Sequence, residues 1–292
     1  MVPPHIIKKI KRIHIKSSRT VNTIMAGQYK SVFRGTGIEF EEVRDYSPGD
    51  DVKAIDWKVS ARLGKPFIKL YREERESIVV LLIDMSASLQ FGSHFDQKLE
   101  KAAEIASVLA FNAVRNDDKV GALFFTERVE KYIPPKKGSS HVWRVIKEIF
   151  TFSPEGQGTD VSLALEYLSK VSKKKTLTFI ISDFMTAPFE NNLKTLRQKH
   201  EIIGVMVKDP ADDRLPEKGL ITINDMESGK TVLLDASDTK TRDWYADQSM
   251  AWRNRAREYF SRAKSDMVHI GTDESVSDAL TRYFKYREKR LR

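Results

Sequence analysis

The sequence predicts an α/β protein, Rossmann-like, in which a mostly parallel central sheet is covered by helices. Three observations predict it. Apolar, β-branched runs that read as buried strands recur from residue 77 onward, stretches of helical periodicity fill the intervals between them, and two of the runs end in aspartate. Strands that alternate with helices are joined by crossovers, which makes them parallel and buries them on both faces.

The elements follow in order. Residues 77–83 form the first buried run and lead into Asp84. Leu99, Ala102, Ala103, Ala106, Leu109, Ala110 and Ala113 then recur at helical spacing and mark one buried face. Residues 120–125 read as a strand, 128–133 as a second, and 142–150 and 161–171 as helices. Two more buried strands are expected at 176–181 and 202–207. Residues 221–223 and 231–234 flank Glu227-Ser228-Gly229-Lys230 as a hairpin would. A long polar helix near 239–263, a short strand at 267–270 and a helix near 275–287 complete the pattern.

Three segments are expected: 1–30 as a basic extension, 31–76 as a region packed on the main domain, and 77–292 as the α/β domain. In the first, Ile6, Ile10 and Ile13 share a helical face among lysines. Docking of the isoleucines on the main domain is favoured over binding to nucleic acid or an anionic membrane. In the second, Pro48-Gly49 marks a turn and alternation around residues 67–71 suggests a strand.

Charge is concentrated at the ends. The net charge is +9, no acid precedes Glu39, and the segment 39–56 is acidic. Cysteine is absent, which excludes disulfides, thiolate metal sites and cysteine nucleophiles. No run approaches the roughly 20 apolar residues of a membrane span, and no secretory core is evident, so no integral membrane segment is expected. The expected location is the cytoplasm, with peripheral attachment to a membrane as the alternative. The chain lacks a G-x-x-x-x-G-K-[ST] phosphate loop, an H-E-x-x-H pair and a G-x-S-x-G elbow.

The chemistry concentrates in three loops. Asp84-Met85-Ser86-Ala87-Ser88 places a carboxylate and two hydroxyls at alternate positions where a strand should end. Ligands gather at the carboxyl ends of strands in open α/β sheets, and such oxygen donors suit a hard cation. Ser182-Asp183 ends another buried strand, and Gly156-Gln157-Gly158-Thr159 presents a hydroxyl before a helix. The structural alternatives are a loop cap at Asp84 and helix-capping at Thr159-Asp160.

Together, Asp84, Ser86, Ser88, Thr159 and Asp183 resemble the metal-ion-dependent adhesion site of a von Willebrand factor A domain. Upstream, Gly37-Ile38-Glu39-Phe40, Arg44-Asp45-Tyr46, Pro48-Gly49-Asp50-Asp51 and Ile55-Asp56-Trp57-Lys58 resemble the signature of the bacterial domain-of-unknown-function family fifty-eight. Members of that family carry a von Willebrand A-like domain and are typically encoded beside MoxR-type AAA+ ATPases. Many have transmembrane segments ahead of the signature, where this chain has a short basic stretch.

The resemblance implies a von Willebrand A-like fold and a Mg²⁺ site, with Mn²⁺ or Ca²⁺ as alternatives. Ser86, Ser88 and Thr159 would contact the ion, and Asp84 and Asp183 would act directly or through water. It also implies a protein partner that offers the ion an acidic side chain, with a MoxR-type ATPase as the first candidate. Arg44, Asp45, Asp50, Asp51, Asp56 and Trp57 form a candidate interaction surface. A turn held by an Arg44 ion pair, with Trp57 in a core, is favoured slightly over that surface. A non-enzymatic adaptor is therefore expected. An aspartate-based phosphotransferase is the runner-up, weakened because Ser86 stands where such enzymes carry a second acid. Nucleic-acid binding through the basic ends is disfavoured, since few aromatics interleave with the lysines.

Overall fold

A computed structural model describes residue 12 and residues 37–74, 77–90, 98–224 and 231–291. The chain divides into two compact units, the smaller within Phe33–Ser77 and the larger carrying Ile78–Arg292.

In the smaller unit, β1 (Gly37–Asp45) pairs antiparallel with β2 (Phe67–Glu74), with a bulge between Phe40 and Glu42. A 3₁₀ turn, Val52–Ala54, and helix α1 (Trp57–Leu63) bridge the strands. Asp51 and Asp56 start these two elements by accepting backbone N–H groups that would otherwise be orphaned. Gly64 ends α1 in the left-handed region at φ 73°, which glycine adopts without steric cost. The turn at Pro48-Gly49 is clamped by Arg44, whose guanidinium meets Asp50 at 2.7 and 2.9 Å. Neither β1 nor α1 stands out in the sequence, because one is bulged and the other has only seven residues.

The larger unit is built on β3 (Ile78–Asp84), β4 (Lys119–Phe125), β5 (Val129–Lys136), β6 (Leu177–Ser182), β7 (Glu201–Lys208) and β10 (Asp266–Gly271). They form one six-stranded sheet in the order β10-β7-β6-β3-β4-β5. Every pairing is parallel except β4 with β5. The fold class is the one the alternation of strands and helices predicts. Helices α2 (Lys98–Arg115), α3 (Ser139–Thr151) and α8 (Val276–Leu291) cover one face. Helices α4 (Val161–Val171), α5 (Glu190–Arg197) and α7 (Thr239–Arg262) cover the other. A short turn of helix, α6 (Pro210–Asp213), follows β7. Strands β8 (Leu220–Asn224) and β9 (Thr231–Asp235) make a separate hairpin, and the tetrapeptide expected to be its turn lies outside the described residues.

The core explains why β3 sits in the middle. Val79 to Ile83 are wholly buried, so both faces of the strand must be apolar. Each such side chain contributes roughly 1.5–3 kcal/mol on burial. On the α7 side, Phe260 presses onto Gly204 of β7, where an added Cβ would lie 2.5 Å from the ring. The expected N-terminal amphipathic helix lies outside the described residues, apart from Arg12, whose guanidinium is 3.6 Å from Glu100. Among the described residues, no helix is long and apolar enough to cross a membrane.

Candidate metal centre

The parallel register of β3 and β6 pairs Ile83 with Ile181, which brings Asp84 and Ser182 level at the carboxyl edge of the sheet. Asp84 is completely buried. Its Oδ1 accepts the Ser86 N–H at 2.9 Å and its Oδ2 accepts the Ser182 hydroxyl at 2.6 Å. The Ser86 and Ser88 hydroxyl oxygens lie 3.1 Å apart. Two backbone bonds fix this loop: Met85 N–H donates to Phe125 O at 2.8 Å, and Ala87 N–H donates to Gln157 O at 2.9 Å.

The second bond ties the first motif to the loop that carries Thr159. Glu130 of β5 straps that loop by accepting the Gly156 N–H at 2.8 Å and the Glu155 N–H at 3.2 Å. Gly156 has to be glycine, because a Cβ there would overlap the Thr126 hydroxyl. Thr159 is nearly buried, and its carbonyl accepts the Thr186 hydroxyl at 2.8 Å. The capping of α4 falls to Asp160, which accepts Leu163 N–H at 3.1 Å. Capping therefore does not account for the Thr159 side chain.

Asp183 follows β6 and is 5% exposed. Its Oδ1 accepts the Met185 N–H at 3.1 Å, while Lys98 donates to its Oδ2 at 3.2 Å. Lys98 also meets Asp212 of α6 at 2.9 Å, with only 2% of its side chain exposed. Nothing in the hydrophobic periodicity marked Lys98. A lysine at the first position of a helix opposes the macrodipole, and that mismatch was the one available signal. Phe184 is the other unforeseen feature. It has a φ of 57°, a left-handed conformation that costs a non-glycine residue about 1–2 kcal/mol. Packing against Phe189 and Phe260 and a 2.7 Å bond from the Trp252 indole to its carbonyl hold it there.

The electrostatics follow from this geometry. Burial, then the nearby charge of Asp183, pushes the Asp84 carboxyl up to about 7, against the hydrogen bonds from Ser182 and Ser86. Burial works against the charge of Lys98, but Asp183 and Asp212 outweigh it and hold the ammonium above its usual range. Burial also raises Asp212, and Lys98 offsets part of that rise. Two carboxylates, Asp183 and Asp212, thus share the Lys98 ammonium, and Asp84 lies beside Asp183 with its proton held more tightly than usual. Among the described residues, no three His, Asp or Glu side chains converge on one point. A cation here would therefore draw on two carboxylates and on hydroxyl oxygens, a donor set suited to a hard ion.

The model for "Protein of unknown function DUF58" matches residues 42–255. The chain belongs to the DUF58 family. It is similar to uncharacterized proteins of Mycobacterium and Bacillus. It is 27% identical over 289 residues to "Uncharacterized protein Rv1480" of Mycobacterium tuberculosis, covering 98% of this chain and 91% of that one. It is 23% identical over 144 residues to YeaD of Bacillus subtilis, covering 49% of this chain and 34% of that one. Among solved structures, it is similar to BatB of Bacteroides thetaiotaomicron, with a TM-score of 0.47, 15% identity, and coverage of 73% of this chain and 99% of that chain. It is also similar to the VWA domain of SpRpn10, with a TM-score of 0.41, 12% identity, and coverage of 70% and 94%.

The six candidate interaction residues of the smaller unit fare unevenly. Four carboxylates have internal work: Asp50 meets Arg44, Asp45 meets Lys65, Asp51 caps the 3₁₀ turn, and Asp56 caps α1 and meets Lys69. The Arg44 hydrogen bond, with help from the Ser47 N–H, holds Asp50 below the usual carboxylate range. Trp57 is 68% exposed, so the expectation of a core position for it is wrong. It is the first residue of α1.

Proposed function

We propose that this DUF58 chain is a non-enzymatic protein-interaction module that depends on a divalent cation, Mg²⁺ in the first instance. Ser86, Ser88 and Thr159 would offer hydroxyl oxygens and Asp183 a carboxylate. Asp84, behind them, would orient bound water. When present, the ion supplies an electrophilic coordination position that a carboxylate from another protein can fill. The observation that carries this reading is the hydroxyl-rich cluster around the Asp84 and Asp183 carboxylates at the carboxyl edge of β3 and β6. The resemblance of the sequence to proteins encoded beside MoxR-type AAA+ ATPases makes such an ATPase the first partner to test. ATP-driven motion in that partner would then reach a client through this chain.

The phosphotransferase alternative is disfavoured on this geometry. Asp84 has no exposed surface, and hydrogen bonds engage both of its oxygens. A nucleophile needs an open line to its electrophile. Calorimetry with Mg²⁺ should show about one site per chain, lost in Asp84→Asn. Undiminished binding in that variant would remove the site assignment. Capture of the ATPase that resists chelation would remove the metal-bridged partnership.

A further inference from the structure

Beside the candidate ion site opens a cleft of about 320 Å³, and Asp183 belongs to both. Its walls are the segment after β6, the carboxyl end of β7 and helix α7. Met185 and Trp244 line it and remain 46% and 56% exposed, so it offers apolar surface to solvent. Large apolar side chains left open in a concave surface mark binding sites more often than isolated exposed ones do.

The cleft is preformed. Trp252 donates to Phe184 O at 2.7 Å, and Tyr245 donates to Ala211 O at 3.1 Å. Ser249 donates to Asp212 O, and Arg253 pairs with Asp213. Four side chains of α7 thus fasten the helix to the turns that follow β6 and β7. A ligand entering here would meet walls whose ordering cost falls on folding rather than on binding.

The charges select among ligands. Lys98 already answers Asp183 and Asp212, and Asp213 answers Arg253. Among the described residues, Arg255 and Lys208 of the lining have no ion-pair partner. Arg255 lies over the Trp252 ring at 5.0 Å, which orients the guanidinium at the rim. A site with apolar walls, a cationic rim and an ion at one end complements a carboxylate, a large apolar side chain and a second acid in sequence.

We infer that this cleft is a specificity subsite for an acidic segment of a partner protein, one in which a large apolar residue follows the carboxylate that reaches the ion. The apolar side chain lies between Met185 and Trp244, and the second carboxylate meets Arg255. The inference rests on the metal-bridged reading proposed above, which names no flanking residue.

The test uses the full chain and two blocked peptides, Gly-Asp-Leu-Glu-Gly and Gly-Asp-Ala-Glu-Gly, titrated with Mg²⁺ or with chelator and followed through the indole NMR signals. With Mg²⁺, the leucine peptide should bind at least about fivefold more tightly than its alanine twin, given what one buried apolar side chain contributes. Trp244→Ala, a change at an exposed position, should erase that preference while sparing Mg²⁺ binding. Arg255→Glu should weaken both peptides equally. Mg²⁺-dependent binding without a preference for leucine would overturn the subsite and leave the ion reading intact. A leucine preference that is identical in chelator would uphold the cleft as an apolar site and overturn its link to the ion. No binding of either peptide would overturn the proposal.

Discussion

Replacing Lys98 with methionine tests the electrostatic frame of the candidate centre most directly. Methionine keeps most of the side-chain volume and removes only the ammonium that lies 3.2 Å from Asp183 and 2.9 Å from Asp212. Removing one partner of a buried ion pair costs about 3–5 kcal/mol, because the remaining charge is stranded. The side chain of Asp183 is 4% exposed but that of Asp212 is 20% exposed, so water recovers part of the loss. A cost near the lower end, about 3 kcal/mol, is therefore expected. Urea unfolding at neutral pH reads it as a midpoint lowered by roughly 1 M at unchanged slope. Protonation of a stranded carboxylate would relieve the strain, so the loss should shrink as pH falls. Asp212→Asn added to the variant should restore part of the stability. Mg²⁺ should stabilise the variant more than the parent, since Asp183 no longer has an internal cation. A loss under about 1 kcal/mol, insensitive to pH, would refute the claim that Lys98 compensates these carboxylates.

Two further outcomes are expected. His200 and His269 are held down to about 4, first by burial and then by Lys199 for the one and by Arg257, Lys208 and Arg253 for the other. Their folded values lie below the unfolded value near 6.5, so the unfolded chain binds the extra protons. The stability that each contributes is complete above about pH 6.5 and is lost as pH falls toward 4, by about 3 kcal/mol per imidazole at most. Unfolding curves across that window should show the slope, and His200→Gln should flatten it. Gly204→Ala would drive a methyl into the Phe260 ring and should cost about 1–3 kcal/mol by thermal or chemical unfolding. A neutral result would mean that α7 yields easily.

Much of this organisation was legible because strand and helix periodicities are strong in a two-face sheet. The helix expected at 161–171 is the observed α4, since Val161, Ala164, Leu165 and Leu168 make an unbroken buried stripe. The buried runs ending at Asp84 and Asp183 became β3 and β6, because continuous apolarity leaves few other placements. Helix α5 was not visible: only Leu193 and Leu196 of its eight residues are buried, too few to set a period. Within the candidate site, the sequence order of Asp84, Ser86, Ser88, Thr159 and Asp183 was readable, but their supports were not. Ser182, Glu130 and Lys98 act through tertiary contacts whose partners lie 98, 26 and 85 residues away. No local pattern encodes such pairs. Trp57 was misjudged because aromatic residues are buried on average, and a helix of seven residues has too little surface to bury every large side chain.

Strand β5, the antiparallel edge of the main sheet, has a consequence for assembly. It carries Pro134 and Pro135, and because consecutive residues of a strand aim their N–H groups to opposite sides, one of the two removes a donor from the outward row that could otherwise recruit a foreign strand. Pro135 also packs against Gly121, where even a methyl group would be crowded at 2.9 Å, so the prolines are seated in the fold rather than loosely attached. Extension of the sheet by a partner or by a second copy is thereby obstructed on this side. On this flank the sheet offers neighbours the side chains of β5 more readily than its backbone, and β10 remains the other edge of the sheet.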